Sequence, residues 1–170
     1  MNIRLYNAKT DYSYIESWIK DERPHALWCA NLMPYPLSED SLSMVLNGIK
    51  EKWGAEAYVV TANNDIPIGF FAYSVNLSDK SGFLQFVILD DKQRGNGTGT
   101  QMLEKILQYA FKITKVTSVR LCVFDVNERA RRCYAKVGFQ EVSLTENAFV
   151  FKDEQWGRCS MVAICDKDEG

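Results

Sequence analysis

Residues 85–103 read QFVILDDKQRGNGTGTQML. An apolar run ending at Leu89 meets an acidic turn, then three glycines at alternate positions, Gly95, Gly97 and Gly99. Met102, Leu103, Ile106, Ala110 and Ile113 follow at the spacing of one helix face, which predicts a helix over 98–113. Glycine weakens a helix end and leaves a loop with excess freedom, so three together need a reason. The loop falls between a buried strand and a helix N-terminus, where free backbone N–H groups and the helix dipole favour an anion. Glycines let a phosphate approach the main chain with no Cβ in the way, and Arg94 adds a fixed positive charge. Those features together make a cradle for a di- or polyphosphate.

Three readings of the loop compete. A nucleotide P-loop needs a lysine after its last glycine, and none follows Gly99. A dinucleotide site, as in an oxidoreductase, needs G-x-G-x-x-G and an acid at the end of the next strand. Asp125 supplies the acid, but the spacing here is G-x-G-x-G, and a long stretch of chain precedes the strand. The third reading is a tight strand–helix turn with no ligand.

Upstream, IRLY (3–6) reads as a short strand, and residues 11–20 as a helix with Tyr14, Ile15, Trp18 and Ile19 at helical spacing. The stretch ALWCANLMPYPL (26–37), with two prolines, reads as an ordered loop or broken helix. Ser38, with Asp40 and Ser41, starts another helix, on which Leu42, Val45, Leu46 and Ile49 share a side. AYVVTA (57–62) and IPIGFFAYSV (66–75) are strands around the turn ANND, and FLQFVIL (83–89) is apolar enough to be central. Downstream, SVRLCVF (118–124) alternates as a strand. A helix over 127–137 follows, capped by Asn127 and ended by Gly138. FQEVSL (139–144) and CSMVAIC (159–165) form a final hairpin, with ENAFVFKDEQWG (146–157) as a long aromatic-bearing loop between them. Antiparallel runs with an embedded strand–helix–strand unit predict a mixed α/β sheet.

The whole chain fits one domain over 1–170. It has 46% hydrophobic residues, 25% charged residues and a net charge of −2, which favours a soluble protein and offers no basic excess for nucleic acid. No apolar run approaches membrane-spanning length, and the N-terminus lacks the apolar core of a signal peptide. The five cysteines show no C-x-x-C pair, which favours reduced core thiols in a cytoplasmic protein over disulfides or a metal site. The acidic end DKDEG (166–170) reads as a solvated terminus.

The run RGNGTG (94–99) resembles the R/Q-x-x-G-x-G/A signature of the GNAT superfamily of N-acetyltransferases. A second element, VRLCVFDVNERARRCYAKVGF (119–139), resembles that family's strand followed by N-x-x-A-x-x-x-Y-x-x-x-G-F, with Asn127, Ala130, Tyr134, Gly138 and Phe139 matching. The resemblance covers residues 56–165 well; WCANLMPYPLSED (28–40) is similar to one bacterial branch. It implies a single-domain GNAT fold: a mostly antiparallel sheet of six to seven strands, splayed at its centre and flanked by about four helices. It also implies acetyl-CoA as co-substrate, no metal, and direct attack by a primary amine in a ternary complex. The acceptor is then a small-molecule amine or the N-terminal amine of a peptide or protein, and the enzyme a monomer or homodimer. A non-catalytic sensor that binds coenzyme A on the same fold is the alternative.

By that resemblance the pyrophosphate sits on Arg94, Gly95, Asn96, Gly97, Thr98, Gly99 and Thr100, and the pantetheine pairs with the backbone of Val87, Ile88 and Leu89. Tyr134 is the general acid. A phenol of pKa near 10 can protonate a thiolate whose thiol pKa is about 8.5 without being ionised itself. Ala130, Cys133 and Val137 form the core stripe of the 127–137 helix, and Tyr134 borders it in line with Asn127 and Arg131. Asn127 and Arg131 join the cofactor-binding set on that line. The strand 81–89 holds no carboxylate to serve as base, only Gln85. Glu22, His25, Asp125 and Glu154 are the candidates elsewhere, with ordered water as the other route. Trp28, Met33, Tyr35, Phe149, Phe151 and Trp156 offer an aromatic acceptor lining with few acids, which ranks polyamines below an N-terminal amine, a small amine or an amino acid.

Overall fold

The computed structural model of the protein describes residues 1–166. Residues 167–170 of the acidic end, expected to be solvated, lie outside the described residues. The elements run β1 (Asn2–Leu5), α1 (Ala8–Trp18), α2 (Glu22–Cys29), α3 (Glu39–Trp53), β2 (Glu56–Thr61), β3 (Pro67–Asn76), β4 (Ser81–Leu89), α4 (Thr98–Gln108), β5 (Ser118–Phe124), α5 (Glu128–Lys136), β6 (Gln140–Phe151) and β7 (Glu154–Ile164). A 3-10 turn (Asp91–Gln93) enters the glycine loop, and a π-helical turn (Tyr109–Ile113) extends α4. The strands form one sheet in the order β1-β2-β3-β4-β5-β7-β6. Every neighbouring pair is antiparallel except β4 and β5. One parallel pair is too few for the doubly wound sheet of a dinucleotide-binding oxidoreductase.

Local chemistry sets the helix ends. Ser38 Oγ accepts from the Ser41 amide and Ser41 Oγ from the Ser38 amide, a reciprocal cap for α3. Asn127 Oδ1 accepts from the Ala130 amide at 3.3 Å and starts α5. Gly138 takes φ +104°, where a Cβ would be strained, and ends it.

The core lies on both faces of the sheet. On one face α4 and α5 pack Met102, Leu103, Ile106 and Tyr134 against Val60, Phe71, Leu84 and Leu121. On the other, α1, α2 and α3 pack Ile15, Trp18, Cys29 and Leu42 against Val59, Phe70, Phe86 and Ile88. A smaller cluster joins Ala26, Phe124, Phe151 and Trp156.

Of three expectations, one is met and two are corrected. The segment 26–37 follows the broken-helix alternative: α2 occupies Glu22–Cys29, with Asp21 as its side-chain cap, and stops before Pro34 and Pro36. Pro24 falls in its first turn, where no helical N–H bond is lost. The segment 146–157 is not a loop. β6 and β7 run through it in register, Phe149 opposite Trp156 and Phe151 opposite Glu154. Third, the cysteines are not uniformly core thiols: all are free, Cys29 and Cys159 are buried, and Cys122 is exposed.

Candidate active site

β4 and β5 pair only at Ser81–Ser118, Gly82–Val119 and Phe83–Arg120. Beyond that they diverge, and the cause is visible in β4. Its register against β3 shifts between Gln85 (opposite Ala72) and Ile88 (opposite Phe70), so β4 carries one extra residue. Phe86 sits there at φ +51°, a left-handed conformation that costs a bulky side chain of order 1–3 kcal/mol. Such a bulge bends and twists its strand, here away from β5. Trp28 of α2 holds it: its indole Nε1 donates to the Phe86 carbonyl at 2.9 Å, and the two rings lie 5.9 Å apart.

The splay opens a cleft of about 670 Å³, within the usual range for small-molecule sites. Val87, Ile88 and Leu89 line one side, and Leu121, Cys122 and Val123 the other. Gly95, Gly97, Gly99 and Thr100 close one end, and Asn127, Ala130, Cys133 and Tyr134 of α5 form a wall. Gly95 and Gly97 both adopt φ +84°, and a Cβ built on either meets no protein atom within 4 Å. The protein therefore does not itself occupy the space their missing side chains leave. Gly97 begins α4 without a side-chain cap. Among the described residues, the Gly99 and Thr100 amides have no protein acceptor.

Four cations border this cleft, Lys20, Arg94, Arg129 and Lys136, against one carboxylate, Asp91. Asp91 is already paired with Lys20 at 3.0 Å, and that ammonium holds its carboxyl below the usual range. Burial, and then the like charge of Arg129, hold Arg94 below the ordinary guanidinium value. Two cations facing a partly buried space with free helix amides suit a polyphosphate. The donor set thus fits the diphosphate of a coenzyme A thioester, and the unpaired edge of β4 fits its amide-bearing arm.

The expected site residues divide. Tyr134 is 8% exposed, with its ring edge-on to Phe139 at 5.6 Å. Burial pushes its phenol well above the ordinary value, so it stays protonated at any working pH. Asn96 and Thr98 do not line the cleft; Asn96 Oδ1 accepts from the Thr98 amide at 3.2 Å and hydroxyl at 2.6 Å, shaping the loop. Arg131 does not line it either. Its Nε donates to Glu141 Oε1 at 2.7 Å and its Nη1 to the Asp125 carbonyl at 3.0 Å, which ties α5 to β6. The i+4 line from Asn127 carries Arg131 to the far edge of the helix, whereas Arg129 comes round to the cleft.

The base candidates also lie elsewhere. Glu22 is paired with Lys152 at 3.0 Å and Glu154 with Arg23. Asp125 Oδ1 accepts from the Gly157 amide at 2.9 Å. His25 is fully buried, and that burial lowers its pKa, so it is neutral. None of the four lines the cleft; Gln85 does. Of the expected acceptor lining, Trp28 borders the cleft, Met33 is core, and Phe149, Phe151 and Trp156 stack on one another.

The acetyltransferase (GNAT) family model matches residues 9–139. The chain belongs to this family. Among curated relatives, the aminoglycoside N(6')-acetyltransferase type 1 of Klebsiella pneumoniae is 23% identical over 142 residues, covering 76% of this chain and 69% of its own. The spermine/spermidine N(1)-acetyltransferase of Bacillus subtilis (strain 168) is 29% identical over 79 residues, 43% of this chain and 52% of its own. The solved spermidine N-acetyltransferase of Vibrio cholerae, in complex with CoA and spermine, shares the fold with a TM-score of 0.80 at 20% identity, covering 96% and 94% of the two chains. This GNAT-family chain therefore has N-acetyltransferases of small-molecule amines as relatives, and the mostly antiparallel splayed sheet is the family's fold.

Proposed function

We propose that this protein transfers the acetyl group of acetyl-CoA to a primary amine by direct attack in a ternary complex, the acceptor being a small molecule or a peptide N-terminus. One observation carries the reading. The gap between β4 and β5 runs from a cationic glycine loop to the neutral phenol of Tyr134.

Acetyl-CoA supplies the acetyl thioester, whose leaving thiol has a pKa of about 8.5. The Gly99 and Thr100 amides, with Arg94 and Arg129, hold its phosphates. The Val87–Leu89 backbone pairs with the pantetheine amides and fixes the thioester along β4. Tyr134 donates a proton toward the departing sulfur, a role its burial favours by keeping the phenol neutral. The amine loses its proton to water near Gln85, since Glu22, His25, Asp125 and Glu154 are all engaged or buried away from the cleft.

The test is thiol release from acetyl-CoA across an amine panel. Single replacements of Glu22, His25, Asp125 and Glu154 should each leave kcat nearly unchanged. The kcat/KM profile should rise toward the acceptor amine's own pKa, because the enzyme uses the already neutral fraction. One replacement that folds normally yet loses most of kcat and the acidic limb would name a dedicated base and refute the water route.

A further inference from the structure

A second cavity of about 170 Å³ adjoins the cleft. The two share Trp28, Gln85, Phe86 and Cys122, so the smaller one continues the β4–β5 gap toward the α2 face of the sheet, away from the glycine loop. In the transferase reading, on which this inference rests, the amine enters from this side. Its walls are apolar or neutral, with Phe83, Phe124 and α2 residues beside Gln85. One charged side chain faces it, Arg158 of β7, set opposite Phe124 in the strand register.

Arg158 is exposed and, among the described residues, no carboxylate pairs with it. Glu154 and Glu22, acids near this end, are paired with Arg23 and Lys152; Asp125 keeps its charge but is held by the Gly157 amide and makes no ion pair with Arg158. The cleft's single carboxylate, Asp91, is paired with Lys20 at the glycine-loop end. A polyamine entering here would bring several positive charges to a wall with one cation and no anion. A small amine that also carries an acid would instead place its anion on the guanidinium fork and its amino group toward Gln85 and the gap. Arginine is suited to that task, since its planar fork binds a carboxylate through two parallel hydrogen bonds. The cavity's size suits a molecule of amino-acid dimensions.

We propose that the acceptor is a small primary amine bearing a carboxylate or related anionic group, of the amino-acid class, and that Arg158 selects it. The test follows thiol release from acetyl-CoA with L-amino acids, the matching L-amino-acid amides, and linear di- and polyamines. The best free acid should exceed its own amide by about tenfold in kcat/KM, the worth of one charge-assisted contact at an exposed site. Polyamines should be poorer still. Arg158→Gln should raise KM for the acid with kcat little changed, and Arg158→Glu should drop the acid below its amide. Calorimetric affinity for acetyl-CoA should be the same in both variants, which shows that they fold. Amides or polyamines used as well as the acids, or a preference indifferent to Arg158→Glu, overturn the acceptor inference and leave the transferase reading standing. Absence of thiol release with every amine overturns the transferase reading and this inference with it.

Discussion

Replacing Tyr134 with phenylalanine separates packing from chemistry at one atom. The ring is 8% exposed and meets Phe139 edge-on, contacts that phenylalanine keeps. Among the described residues the hydroxyl has no protein partner, so its removal breaks no internal hydrogen bond. Stability at neutral pH should therefore change by less than about 1 kcal/mol. If the phenol protonates the leaving sulfur, turnover should fall by about 10²-fold, roughly 2.7 kcal/mol of barrier. Acetyl-CoA affinity should hardly move. Alkaline unfolding supplies a further readout. Burial raises the folded-state pKa of Tyr134 above its unfolded value of about 10. Below pH 10 both states keep the proton, and that contribution to stability is pH-independent. Above it the unfolded chain loses a proton that the folded one retains, so stability falls by about 1.4 kcal/mol per pH unit for this group. The variant should lose that increment of slope while Tyr6 and Tyr58, also raised by burial, keep theirs. The assay pairs stopped-flow thiol release with denaturation at several pH values. Undiminished turnover, with chemistry shown to limit the rate, would refute the acid role. A stability loss of several kcal/mol at neutral pH would refute the packing account.

Gly97→Val should sharply weaken acetyl-CoA binding in calorimetry, because a branched Cβ enters open space at the cleft end and its φ of +84° adds about 1–2 kcal/mol of strain; unchanged affinity would remove the loop from phosphate binding. Trp28→Phe should cost about 1–3 kcal/mol in denaturant unfolding, since the Phe86 carbonyl at the bulge loses its 2.9 Å donor, and KM for acetyl-CoA should rise if the bulge holds the gap open. Arg94→Ala should weaken acetyl-CoA affinity and reduce its salt dependence, whereas Arg131→Ala, bound to Glu141 outside the cleft, should cost at most about 1 kcal/mol of stability and leave affinity intact; equal effects on affinity would contradict the placement of the two guanidinia.

The strand, glycine loop and helix of residues 81–113 were legible in the sequence because each signal is local. An apolar run, a left-handed glycine and a helical stripe depend on a few neighbours along the chain. The same holds for α5, with Asn127 at its start and Gly138 at its end, and for the spacing between the two motifs that places Tyr134. The final hairpin was only half legible. Its middle carries a bulge between Thr145 and Phe149, with Asn147 at φ +51°, which breaks the alternation that marks a strand. Its turn has Lys152 at φ +53° where a glycine or asparagine would have signalled one. The strand pairing across the sheet, and not any local preference, makes those residues extended.

Composition and motif fixed the chain as an acetyltransferase-like α/β domain with a phosphate-friendly loop. Which arginine faces the cleft depends on how α5 is rotated against the sheet, and packing of Ala130 and Tyr134 into the core decides that in favour of Arg129 over Arg131. Whether β4 and β5 part depends on one extra residue at Phe86, invisible in a run that is apolar on both faces apart from Gln85. Whether Arg158 is free depends on Glu154 pairing with Arg23 and Glu22 with Lys152, partners that lie far apart along the chain. A sequence specifies its local conformations through contacts within a turn or two. The site is made of contacts between elements, and only their packing brings those together.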